Sequence, residues 1–235
     1  MMLYLTSKIT AHMKKLFSLS VLLIVLSLAV LGQPDKDKLA LDVSKAEEDN
    51  TKKLKAYIWK RKSDVSVNGE VKLTTLTEFS FDAQGKIQAR LVDAESSVQQ
   101  KRGLRGRAQK NAIEDKAEYV QKALGLALAY TFMTKGQLMD FFTKATVTES
   151  NGVIEAVAES VYVQGDKLTI RIESSTKLFL SKTFSSFLGK DAIDGDIKYE
   201  KFSSGVNHVS TTVLNMPAQK MVINAVNQDY SQKVN

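Results

Sequence analysis

Lys101, Arg102, Arg105, Arg107 and Lys110 crowd within ten residues of the tract QQKRGLRGRAQKN, with Gly103 and Gly106 between them. Arginine forks donate in pairs to the oxygens of carboxylates and phosphates, and glycine leaves the backbone free to wrap an anion. The chemistry this tract points to is anion recognition, with Arg102, Arg105 and Arg107 as contacts for a headgroup. The same composition also suits a solvated loop whose charges keep a surface wet. No aromatic residues interleave with the basic ones, which argues against single-stranded nucleic acid as a partner.

The remaining reactive residues offer less. Of the two histidines, His12 lies near the start and His208 lies in VNHVSTTVL. One histidine in the body of the chain excludes His-rich metal spacings, and a Ser-His-Asp relay would have to assemble around His208 alone. The simpler reading of His208 is a surface or cavity-facing polar residue of a strand. Asp191, Asp194 and Asp196 in KDAIDGDIKYE resemble a calcium loop only loosely, lacking the spaced ligands and closing glutamate of one. Asp and Gly in this arrangement read as a hairpin turn. With no cysteine there is no disulfide, no thiolate metal site and no acylated cysteine. No catalytic residue, metal ligand or cofactor is therefore assigned, and an enzyme would need carboxylates or an arginine to converge on His208.

Apolar side chains carry a more distributed signal. Phe132, Met133, Leu138, Met139, Phe141 and Phe142 gather flexible and aromatic groups in one stretch. Core packing accounts for such a stretch, and so does the wall of an apolar cavity, where methionine adapts to variable ligands.

The elements that position these residues begin after a targeting segment. From Met13 the chain reads MKKLFSLSVLLIVLSLAVLGQP: two lysines, an apolar run from Leu16 to Leu31, then Gly32. That layout predicts a signal peptide over residues 1–32, with Met13 as an alternative start. The apolar run falls short of the roughly 18 residues expected of a spanning helix. Losing Lys8, Lys14 and Lys15 with no acidic residue lowers the formal charge from +7 to +4. The expected product is exported, soluble in the periplasm or outside the cell, and long enough to bury a core without covalent staples.

Leu39, Val43, Ala46 and Leu54 mark a thin apolar stripe of an amphipathic helix. Tyr57, Trp59, Val65 and Val67 then alternate with Lys60, Lys62, Asp64 and Ser66, as a half-buried strand requires. Asn68-Gly69 supplies a two-residue hairpin turn. Val71, Leu73, Thr75, Phe79 and Phe81 share one face of the return strand, DAQG turns again, and Ile87, Ala89 and Leu91 continue the meander. Past Ala94 the alternation stops. Asn111 and Glu114 have capping-box spacing for a helix through Ile113, Ala117, Val120, Leu124 and Ala127. Lys135-Gly136 is expected to break it before a short second helix containing Leu138, Phe141 and Phe142. Six further strands are expected, over 153–163, 167–173, 177–188, 196–202, 206–214 and 220–228.

Signal segment, helix, strand meander around Trp59, central helices and further strands form an order that resembles the lipoprotein-carrier fold of the periplasmic LolA and LolB type. KRGLRGR and YVQGDKLTIRIES also resemble segments of exported bacterial proteins with no assigned activity. The carrier resemblance implies an α+β fold, a single curved antiparallel sheet of about nine strands forming an incomplete barrel. Helices inserted at about 108–145 would cover it within a single domain spanning 33–235. It also implies a lipid or acyl-chain ligand and only transient membrane contact. Tyr57, Trp59, Val71, Leu73, Phe79 and Phe81 would face such a ligand from the sheet, and Leu124, Leu128, Phe141 and Phe142 from the cover. Carriers of this type hold the closed lid with an arginine, which no position here matches by motif. The competing expectation is a structural or envelope-interaction module with a filled core, a protein partner and no ligand.

Overall fold

The computed structural model describes residues 35–97 and 103–233, with side chains described everywhere in those ranges except 103–114. The expected signal segment, Lys101 and Arg102 lie outside the described residues, as do the side chains of Arg105, Arg107 and Lys110. Helix α1 (Lys36–Leu54) starts at Asp35, whose carboxylate accepts from the amides of Asp37 at 3.1 Å and Lys38 at 3.2 Å. This cap satisfies two donors that an opening helical turn leaves unpaired. Leu39, Ala40, Val43, Ser44 and Asn50 form its buried face.

Ten antiparallel strands follow: β1 (Tyr57–Val67), β2 (Glu70–Phe81), β3 (Ile87–Ser96), β4 (Thr146–Ser150), β5 (Val153–Glu159), β6 (Lys167–Glu173), β7 (Phe179–Leu188), β8 (Asp191–Lys201), β9 (Asn207–Met216) and β10 (Met221–Gln232). Their order in the sheet is β3-β2-β1-β10-β9-β8-β7-β6-β5-β4, with β3 and β4 as unjoined edges, so the barrel is open as expected. The N-terminal meander joins the later strands through β1 and β10, where Arg61 faces Asn227 and Val65 faces Ile223. Asn68 and Gly69 adopt φ of 53° and 81°, as a tight hairpin requires.

Beyond shifts of extent, with β5 ending at Glu159 instead of 163 and β10 running on to Gln232 instead of 228, two strands differ from expectation in kind. β4 is the tenth strand, a five-residue edge joined to β5 by Asn151-Gly152, whose φ values of 51° and 75° repeat the hairpin geometry of Asn68-Gly69. Asp191, Asp194 and Asp196 lie within β8 and not in a turn. Gly195 is there because its cross-strand partner is Phe184, and a Cβ would fall 2.1 Å from that ring. Asp194 accepts from Ser185 across the strand pair at 2.8 Å, and Asp191 accepts from Gln219 at 2.9 Å. Among the described residues no group of three or more His, Cys, Asp and Glu side chains is arranged for a metal ion.

The insert also starts earlier than its sequence suggests. Helix α2 (Gly103–Thr131) is already helical eight residues before Asn111, so Asn111 and Glu114 lie inside it and do not cap it. Leu, Arg, Ala, Gln and Lys around the two glycines are good helix formers and outweigh the loop-like composition. The break falls at 132–134, and Lys135-Gly136 opens helix α3 (Lys135–Lys144). Thr134 accepts from the Gln137 amide at 3.3 Å while the Gln137 side chain accepts from the Thr134 amide at 2.8 Å, a reciprocal cap.

The core lies between one face of the sheet and the helices. Ile154, Leu168, Ile170, Ile172, Ile193, Ile197 and Leu214 line it from the strands, while Tyr130, Phe141 and Phe142 enter from α2 and α3. α1 lies against α3 and reaches β9 through Asn50. The Asn50 side chain accepts from the Asn207 amide at 2.7 Å and donates to its carbonyl at 2.9 Å, so it pairs with backbone as a neighbouring strand would.

A candidate ligand-binding cavity

One end of α2 is firmly fastened. A helix leaves its last four carbonyls without internal partners. Here Leu128 accepts from the Phe132 amide at 2.9 Å and Ala129 from the Tyr162 hydroxyl at 2.9 Å. Tyr130 and Thr131 accept from Lys182 Nζ at 3.2 and 2.9 Å. Lys182 is fully buried on β7, with its ammonium 3.9 Å from the Phe179 ring centroid and Glu47 of α1 as the nearby negative charge. Burial lowers the Lys182 pKa and raises that of Glu47, because each charged form loses its hydration. The Tyr130 hydroxyl donates to Asp166 and bonds Ser186 at 2.9 Å, while its ring stacks on Phe184 at 4.1 Å. Burial pushes the Asp166 carboxyl up, yet Tyr130 and the amides of Val161, Tyr162 and Val163 outweigh it and hold the carboxyl below its usual range. These bonds make Gly165-Asp166 an anchor for the helix as well as a turn.

Alongside the fastened end, α2 stands off the sheet. A cavity of about 690 Å³ opens between it and strands β1, β2, β3, β9 and β10. Phe79, Ile87, Ala89, Leu214, Ile223 and Ala225 form its sheet wall, with Leu124, Gly125, Ala127, Leu128 and Phe132 on the helical side. This size and apolar character fall in the usual range of small-molecule sites. Leu128 and Phe132 remain 42% and 43% exposed, and Leu91 on the outer strand is 60% exposed. A second cavity of about 480 Å³ lies between α1, the α2–α3 junction and the β2–β3 turn, lined by Glu47, Lys55, Phe81, Leu138 and Phe179 among others. Ile87, Thr131 and Phe132 line both cavities.

The residues expected to surround a ligand divide into groups. Phe79, Leu124 and Leu128 line the larger cavity, and Phe81 lines the smaller one. Trp59 is buried beside this wall and not in it, stacked at 5.7 Å on both Phe79 and Tyr230. Tyr57 stacks on Phe202 at 5.1 Å, and Leu73 pairs with Val65 across the β1–β2 hairpin. Val71 is 50% exposed beside the turn, and Phe141 and Phe142 lie in the closed core beneath α3. His208 is not a surface or cavity-facing residue: its ring is buried between Phe202 at 4.2 Å and Tyr230 at 4.3 Å. Among the described residues no carboxylate hydrogen-bonds to it.

Arg61 is a cavity-wall residue that the strand pattern did not single out. Its odd-numbered parity with Trp59 and Val65 is the signal that places it inward, yet a charge amid Lys60 and Lys62 reads as solvated. Nε donates to Asn227 Oδ1 at 2.8 Å, and the guanidinium carbon sits 4.9 Å from the Phe79 ring centroid. Asn227 in turn donates to the Val209 carbonyl at 2.8 Å, which fixes the direction of its oxygen.

The fold and cavity define an open antiparallel sheet with helices packed on one face and an apolar space under α2. Among solved structures the chain is similar to a DUF1329 family protein from Desulfovibrio piger, at 10% identity and a TM-score of 0.35, over 82% of this chain and 94% of that one. It is also similar to a LolA superfamily protein from Nitrosomonas europaea, at 12% identity and a TM-score of 0.34, over 80% of this chain and 94% of that one. No family model matches the chain, and no curated protein matches it. Among the described residues no helix is long and apolar enough to cross a membrane.

Proposed function

We propose that the protein is an exported, non-enzymatic binding protein that holds a lipid or other apolar ligand between the sheet and α2. The cavity of about 690 Å³ beneath α2 carries this reading, because its walls are mostly hydrocarbon and its mouth leaves Leu128 and Phe132 in solvent. Burying a methylene group contributes about 0.8 kcal/mol, so affinity should rise about tenfold for every two methylenes until the cavity is full. The protein would act after cleavage of residues 1–32, in the periplasm or outside the cell, as one domain over 33–235. The filled-core alternative, a structural or envelope-interaction module, is less well supported because the described side chains leave this space open.

Native mass spectrometry of gently purified protein tests the proposal directly. A co-purifying adduct of lipid mass, or saturable uptake of a fluorescent fatty acid, is the expected result. Bare protein that takes up no such probe would overturn it.

A further inference from the structure

We propose that Arg61 makes the cavity selective for anionic amphiphiles, holding a carboxylate or phosphate head while the walls hold the chain. This inference rests on the binding function proposed above and specifies the chemical class of its ligand. Arg61 lines the cavity together with Phe79, Leu124, Leu128 and Ile223, and its guanidinium rests over the Phe79 ring at the border of a space that is otherwise mostly hydrocarbon. Three other basic residues of the sheet are paired with acids: Lys60 with Asp229, Arg90 with Glu78 and Arg171 with Glu155. Among the described residues no carboxylate pairs with Arg61, and its one hydrogen bond is the Nε contact to Asn227. That contact uses Nε, and among the described residues Nη1 and Nη2 have no hydrogen-bond partner.

The group is also pre-aimed. Asn227 is tied to the Val209 carbonyl, and the guanidinium rests against Phe79, so little side-chain freedom remains to be lost on binding. An arginine keeps its charge under all ordinary conditions, and a partly buried positive charge without a counterion gains most from an anion arriving in the same low-dielectric space. Lys86 lines the same cavity and is exposed, which places a second positive charge at the rim. Among the described residues no carboxylate lines this cavity to repel an anion. The arrangement suits an amphiphile whose head lies against β1 while its chain runs under α2.

Isothermal titration of the full-length protein with dodecanoate, dodecyl phosphate and dodecanol separates head from chain. Wild type should bind at least one of the two anions about ten- to a hundredfold more tightly than the alcohol, the equivalent of one charged hydrogen-bonding partner. Arg61→Gln should lose that preference while keeping its affinity for dodecanol, which also reports that the cavity is intact. Arg61→Lys should retain part of it. Acetate and inorganic phosphate should bind at least a hundredfold more weakly than their dodecyl counterparts; equal binding would overturn an amphiphile site. Tight binding of all three dodecyl probes alike, unchanged in Arg61→Gln, would overturn the head-group role and leave the apolar-ligand reading standing. Binding of none of the three by wild type would overturn both.

Discussion

Phe184 of β7 lies flat over Gly195 of β8, so close that a Cβ at position 195 would sit 2.1 Å from the ring. The ring cannot retreat, because Tyr130 stacks on it at 4.1 Å and ties it to the end of α2. Gly195→Ala is therefore expected to act as overpacking and to destabilise the fold by about 1–3 kcal/mol. Urea denaturation measures it, and trimming the ring with Phe184→Leu in the same chain should recover part of the loss. An Ala variant as stable as wild type would mean that the ring moves freely.

Lys182 is expected to be the most costly polar residue to remove. Lys182→Met leaves the Tyr130 and Thr131 carbonyls without their donor and Glu47 without its positive neighbour. Breaking one side of a buried charged arrangement costs about 3–5 kcal/mol. Adding Glu47→Gln should restore part of the loss, since the stranded carboxyl is then removed as a charge. Denaturation midpoints of the two single variants and the double variant decide this; strictly additive losses would show that the two groups do not interact.

The sequence made some of these relationships visible and hid others for physical reasons. The β1–β3 meander was legible because Trp59, Val65, Phe79 and Phe81 alternate cleanly and Asn68-Gly69 permits few other conformations. β8 was hidden because Asp-Gly-Asp is turn chemistry unless a neighbouring ring needs the glycine, and Phe184 lies eleven residues away in sequence. β4 was hidden by its length, although Asn151-Gly152 carried the same hairpin signal as Asn68-Gly69. Lys182 and Arg61 illustrate a wider limit. Both stand at inward positions of strands, where a charge is expected only if some distant group receives it, and neither the carbonyls of α2 nor the cavity can be read from local pattern. The cavity itself depends on how far α2 stands from β1 and β10, which periodicity does not encode.

His208 gives the fold a defined response to acid. Burial beside Phe202 and Tyr230 holds its imidazole below the ordinary value of 6.5, with the Val209 carbonyl and the Glu200 charge opposing only in part. The folded state thus favours the neutral ring, and the unfolded chain binds the proton more readily. The stability contributed is complete above 6.5 and is lost as pH falls through the lower folded-state value. Glu47, raised to about 7, works in the opposite sense, its contribution being lost as pH rises through that value. The informative quantity is therefore the difference between wild type and His208→Phe. Thermal unfolding between about pH 7 and pH 5 should show wild type losing stability relative to the variant; parallel curves would contradict a buried neutral imidazole.

Gly125 allows the cavity to be filled without disturbing what surrounds it. It lies in the interior of α2, lines the larger cavity, and a Cβ built on it meets nothing within 4 Å. Glycine inside a helix costs about 1 kcal/mol relative to alanine, so Gly125→Ala should stabilise the protein by up to that amount. Gly125→Phe goes further and places a ring where an acyl chain would lie. If the space under α2 is a binding site, the Phe variant should remain as stable as wild type or more so while losing most uptake of a fluorescent fatty acid. Denaturation and uptake read together separate the cases: stability kept with uptake lost supports the site, whereas full uptake in a stable Phe variant would place any ligand elsewhere on the molecule.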